Sequence, residues 1–247
     1  MGKKYKNPPV VEALCEIYFH ESKWDVTLPG LFFEKVRGNY PKKRESEQID
    51  VQVSISKEAQ ASQVQREKRR IKFIKEDGSR LIQLENNLLV INQLRPYPRF
   101  EDWRPVVGEM LKHYSEIAQP KGIRRMGVRY INRIIIPTVK FKMEDYFNLY
   151  PEVPESLGAM HGRFMMRLEI PPRHEGHRLM VTFGTAPPES PGTSAEMLDI
   201  YDIFTFHQPF SMEDVDKYII KAHENIEVVF EGSITNKARK LFKEEVV

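Results

Sequence analysis

Three arginines at steps of four, Arg125, Arg129 and Arg133, lie in the mid-chain run 122–137. Read as a β-strand, this run turns alternate side chains to opposite faces, so the three guanidinium groups share one face at intervals of about 13 Å. Met126, Val128, Tyr130, Ile134 and Ile136 fall on the other face, with Asn132 the one polar member. Such a strand buries one side and presents cations on the other. Guanidinium forks grip phosphate bidentately, and Tyr97 or Tyr130 nearby would stack on bases. Arg163 and Arg167, on a later strand, extend the surface to five guanidinium groups if the two strands are neighbours. Arg66, Lys68, Arg69, Arg70, Lys72 and Lys75 form a second basic cluster, from which Arg70 and Lys72 join the candidate anion- or nucleic-acid-binding set. The competing expectation is neutralisation inside the sheet. Glu12, Glu16 and Glu169 also lie on outward faces, and opposite charges attract across strands.

The same charges have an enzymatic reading. Antiparallel barrels that hydrolyse triphosphates line a tunnel with acids that hold a metal and bases that hold phosphates. Glu12 and Glu16 with the arginine strand supply those ingredients, but Leu14 interrupts the acidic alternation and no lysine follows in register. His174 and His177 stand three apart in an expected hairpin turn, with no third ligand indicated. Asp199 and Asp202 are considered as paired metal ligands, again without the lysine a nuclease would carry. Cys15 falls on an inward strand face and reads as an inert thiol. The chain contains no Gly-rich phosphate loop, G-x-S-x-G motif or zinc ribbon. No catalytic residue, metal site or cofactor is assigned.

Periodicity predicts the elements that position these residues. Strands are expected at 10–20, 49–56, 69–75, 80–85, 88–94, 122–136, 163–170 and 177–184, with 196–206 a strand or short helix. Residues 57–65 read as a long loop. Helices are expected at 28–40, capped by Thr27, at 102–118, as a short turn at 143–150, and at 213–230 behind a Ser211/Asp214 capping pattern, with a helical tail from 237. Strands grouped by hairpins between helices mean α+β with antiparallel sheet and two to three flanking helices. The order suggests a strand-helix-strands unit used twice: an N-terminal half, 1–121, and a C-terminal half, 122–247, packed as one compact unit.

The 247 residues, 40% hydrophobic and 30% charged with 14 Phe and 10 Tyr, suit a folded globular chain. A net charge of +3 creates no global field toward nucleic acid, so any such case rests on local clustering. One cysteine rules out an internal disulfide. No apolar run approaches 18 residues, the N-terminus has no hydrophobic leader, and Lys6 stands where a myristoylation signal wants Ser or Thr. The expectation is a soluble cytoplasmic protein without membrane association.

The segment Asn7-Pro8-Pro9-Val10-Val11-Glu12-Ala13 resembles the opening signature of a sporadically distributed microbial family of uncharacterised proteins about this long. The likeness continues through Pro29-Gly30-Leu31, Leu94-Arg95-Pro96-Tyr97-Pro98, Gly127-Val128-Arg129-Tyr130-Ile131-Asn132-Arg133, Ala186-Pro187-Pro188 and Ala222-His223-Glu224. The resemblance implies an association with mobile or defence-linked genes, CRISPR-linked accessories among them, and transfers no catalytic residue. With no catalytic motif beside an orderly fold, the leading expectation is a non-enzymatic binding or regulatory protein with a protein partner. A single-stranded nucleic-acid binder using the arginine face comes second, and a metal-dependent tunnel phosphohydrolase third.

Overall fold

A computed structural model describes residues 3–55, 61–158, 162–210 and 214–244, with the backbone path alone for 47–55, 61–69 and 207–210. The chain is α+β, built on one antiparallel sheet of nine strands in the order β2-β3-β4-β5-β1-β6-β9-β8-β7. The strands are β1 (Val10–His20), β2 (Lys42–Ile55), β3 (Ala61–Ile74), β4 (Arg80–Glu85), β5 (Leu88–Leu94), β6 (Gly122–Ile136), β7 (Met165–Ile170), β8 (His177–Ala186) and β9 (Ser194–Phe210). Among the described residues five α-helices accompany them: α1 (Leu28–Val36), α2 (Phe100–Ala118), α3 (Met143–Tyr146), α4 (Val215–Ser233) and α5 (Asn236–Phe242). No helix among the described residues is long and apolar enough to cross a membrane.

Both halves trace the same path. Each begins with a strand at the centre of the sheet (β1 or β6), passes through a helical segment to an edge strand (β2 or β7), and returns by hairpins. The returning strand, β5 or β9, pairs with the first, and a long helix follows. The two starting strands pair antiparallel with each other, so one continuous sheet crosses the boundary between residues 121 and 122.

The principal core lies on the helix side. β1 contributes Ala13, Cys15, Ile17 and Phe19, and β6 contributes Met126, Val128, Tyr130, Ile134 and Ile136, all buried. Asn132, the polar residue in that row, is buried too, and its Nδ2 donates to the Leu198 carbonyl at 3.1 Å. α2 packs on β5 and α1, while α4 packs on β9, β6 and β8. α4 turns inward Val215, Ile219, Ala222, Ile226 and Val229, the stripe its period predicts. Phe19 stacks on Tyr114 of α2 with ring centroids 4.4 Å apart, joining the first strand to the second helix.

Several expected boundaries move for physical reasons. β2 starts at Lys42, and its first residues are polar and mostly exposed because it is an edge strand with little to bury. β3 starts at Ala61 inside the expected loop, of which residues 56–60 lie outside the described residues. β9 is a strand; it lacks clean alternation because seven of the eight residues 195–196 and 198–203 are buried, leaving no polar face to mark the period. α1 ends at Val36, and its first turn is capped by Asp25 rather than by the Thr27 side chain. The Asp25 carboxylate accepts from the Thr27 and Leu28 amides at 2.6 and 3.2 Å. Ser211, in the capping pattern expected before α4, lies outside the described residues.

Phe19→Ala would empty a site between sheet and helix layers and cost about 3–5 kcal/mol. Denaturant unfolding should show a lower midpoint with an unchanged slope.

Candidate functional site

Among the described residues, the helices cover one face of the sheet and leave the other without helical cover. That open face carries Arg125, Arg129 and Arg133, as the alternation predicts, but none of the three stands free. Arg125 lies 3.5 Å from Glu16, Arg129 makes a bidentate pair with Asp199 at 2.7 and 2.5 Å, and Arg133 lies 3.2 Å from Glu189. Arg133 also donates to the Pro187 carbonyl. Asp199 is buried, and its partner Arg129 is partly so, which gives that pair more weight than a surface contact.

A tyrosine organises the centre. Tyr201, on β9 opposite Arg129, leans across β6 and donates to Glu16 of β1 at 2.5 Å, while Arg125 donates to the same phenol at 3.0 Å. It can do so because Gly127 lies beneath it. A Cβ at position 127 would come within 2.5 Å of the Tyr201 ring, so only glycine leaves room for the crossing. Burial first, then the Glu16 carboxylate, push the Tyr201 phenol far above its ordinary range, which keeps it protonated and donating. On the other side Arg125 stacks over the Tyr18 ring, 4.4 Å from its centroid. Further along, Gln83 donates to Asn92 at 2.7 Å and Asn92 to Glu12 at 2.6 Å, tying β4, β5 and β1 together. Leu14, Leu88 and Val90 form a small second apolar cluster with Tyr18, apart from the main core.

The five-guanidinium surface does not assemble. β9 and β8 stand between β6 and β7, so Arg163 and Arg167 lie three strand spacings, about 14 Å, from the β6 arginines. Arg163 is exposed, and Arg167 is exposed beside the Met180 sulfur at 3.3 Å. Arg70 is bound to Glu85 at 3.0 Å, and Lys72, half-buried, faces Gln83 in register. The side chains of Arg66, Lys68 and Arg69 lie outside the described residues. Tyr130 and Tyr97, the expected stacking residues, are not on this face: Tyr130 is buried on the helix side with its hydroxyl 2.7 Å from that of Tyr97. The aromatic residues actually present, Tyr18 and Tyr201, share the outward parity of the arginines in their own strands, a signal alternation could have supplied.

Of the three glutamates expected as partners, Glu16 meets an arginine of β6, Glu12 is taken by Asn92, and Glu169 pairs with Arg178 at 3.0 Å. Asp199 and Asp202 cannot share a metal, because three positions apart on a strand they point to opposite faces. Asp202 lies on the helix side, 2.6 Å from His177 Nδ1 and accepting from Asn225 Nδ2 at 2.6 Å. His174 lies 2.9 Å from Glu224 of α4 and the His177 ring stacks on that of Tyr218 of α4 with centroids 5.8 Å apart, so both histidines dock the β7–β8 hairpin against α4. Among the described residues no group of three or more His, Cys, Asp and Glu side chains could hold a metal. The sheet formed by the described residues is open, with β2 and β7 at its edges, and does not close into a tunnel. Burial, with Glu16 a lesser contributor, drives the Cys15 thiol far above its usual range.

Among the described residues, one buried acid keeps an unbonded carboxylate oxygen. Glu196 is 4% exposed, points to the helix side between Ile134 and Thr185, and leaves Oε2 unbonded. Burial raises its carboxyl from 4.5 to about 7. A carboxyl raised on folding holds its proton more tightly in the native state, so stability falls as pH climbs from the unfolded value through about 7. Glu196→Gln should remove this slope and gain about 1–3 kcal/mol over the parent at pH 8 but little at pH 4.5, read as the difference between their unfolding curves across pH. Gly127→Ala should cost about 1–3 kcal/mol in the parent chain. It should cost clearly less in a Tyr201→Ala background, and the double-mutant cycle isolates the ring's crossing.

Neither protein-family models nor curated proteins give a match to this chain, and the reading of the site rests on its geometry.

Proposed function

We propose that the chain is a non-enzymatic binding protein that engages a protein partner with the open face of its sheet, on the side of β7, β8 and β9. The observation that supports this most directly is a row running across those strands. Met165 of β7 and Met197 of β9 flank Gly184 of β8 in register, and they are 81% and 39% exposed. A Cβ at 184 would come within 2.6 Å of the Phe164 carbonyl, so the middle of the row stays flat. Methionines are flexible and polarisable, and exposed on a sheet they adapt to an apolar surface. Arg133 continues the row on β6, already neutralised by Glu189.

The balance of charge favours a protein partner over a nucleic acid. Phosphate binding relies on cations that exchange counterions for phosphate, and here the three β6 arginines already face carboxylates. An acid-base role for the central residues is disfavoured by the same bonds, which hold Glu16 and Asp199 as struts between strands. Met197→Glu places a charge in the row and should abolish stoichiometric co-purification of the partner from source cells, whereas Val228→Glu on the exposed side of α4 should leave it intact. Equal retention by both variants, or no partner with the parent chain, would overturn the reading.

A further inference from the structure

β7 is an edge strand of six residues, Met165 to Ile170, paired on one side by β8. The Thr185 amide donates to the Phe164 carbonyl at 3.1 Å, which fixes the even-numbered residues as those bonded to β8. The amides and carbonyls of Met165, Arg167 and Glu169 therefore point away from the sheet. Their side chains stand on the open face, while Met166, Leu168 and Ile170 turn to the helix side. Leu168 is 40% exposed, unusual for an apolar residue on the covered face. Natural edges are blunted by short strands, charged side chains, proline or a bulge, and charges of one sign also repel a second copy of the same strand. Here the charges alternate in sign.

We infer that β7 is the interface for a second copy of this chain, the two edge strands pairing antiparallel about a two-fold axis at Leu168 to continue the sheet. An isologous edge pair sets each residue opposite one of the same parity, so few registers exist. Centred on Leu168, Arg167 of each copy faces Glu169 of the other in a hydrogen-bonded pair. Leu168 meets its own counterpart in the closer non-bonded pair, and Met166 meets Ile170 on either side. Slipping two residues one way sets Arg167 against Arg167, and slipping the other way sets Glu169 against Glu169. Charge thus selects one register. Pro171 ends the ladder, since it has no amide to donate. Within the chain Glu169 already receives Arg178, but a carboxylate offers lone pairs to a second guanidinium. Arg167 has no carboxylate partner among the described residues. The surface is the rim of the sheet rather than its face, so this inference stands independently of the methionine row.

Sedimentation equilibrium on the full chain from 1 to 200 µM tests it. The parent should dimerise, and Arg167→Glu or Glu169→Arg alone should each weaken the dimer by about tenfold or more. Mixing the two single variants should restore association, because every facing pair then carries opposite charges. Hydrogen exchange should show the Arg167 and Glu169 amides gaining protection with concentration, with no gain in either variant by itself. A parent chain monomeric at 200 µM would overturn the inference. So would a dimer that survives both reversals, or one whose mixed variants fail to recover it while each variant keeps its fold by circular dichroism.

Discussion

A pleated strand commits each side chain to one of two sides, and in this protein helices cover just one of them. Everything on the covered side must be apolar or internally bonded; everything on the open side must be soluble or mutually neutralised. The rule accounts for Asn132, held by a carbonyl, and for Asp202, held by His177 and Asn225. It also explains why the arginines of β6 acquired acids rather than solvent. A sheet of nine strands has a broad central region where long side chains lie flat over their neighbours, and opposite charges set side by side there find one another.

The Gly127–Tyr201–Glu16 crossing shows how a missing side chain becomes a structural device. Residues on adjacent strands usually meet in pairs, but Tyr201 spans from β9 over β6 to β1 because no Cβ obstructs it. Three strands, two from one half of the chain and one from the other, are thereby linked on the face that lacks helices. Such a bond orders the sheet more than it stabilises it, since each polar contact exchanges water for protein at a net gain of about 1 kcal/mol. Glu196 is the counterexample: a buried acid with one oxygen unbonded, tolerated by holding its proton longer than an exposed carboxyl would.

Amphipathic periodicity made β1, β6 and α4 legible, because each has one buried and one more exposed side or a clean helical stripe, whereas β4 and β5, without clean alternation, were marked by the turn residues Gly78 and Asn86-Asn87 that bound them. It was weakest at β2 and β9 for opposite reasons. The first five residues of β2, 42–46, are polar and mostly exposed, and β9 is buried on both faces over 195–203, so neither stretch shows a period of two. The arginine face was legible as a row of residues on one side of a strand, and its neutralisation by Glu16 was among the alternatives residue types allowed. Asp199 and Glu189 were not legible as partners, since pairing across strands depends on strand order and register, and on where the loop after β8 lies.

By itself, then, the sequence determined the class of fold, the parity of residues within each strand and the greasy and charged sides of β6. These follow from local geometry, which each segment carries within a dozen residues. Only the tertiary structure decided that two strands separate Arg167 from Arg133, that Tyr201 reaches Glu16, and that β7 is an edge. Strand order joins residues more than a hundred positions apart, and no local period encodes it.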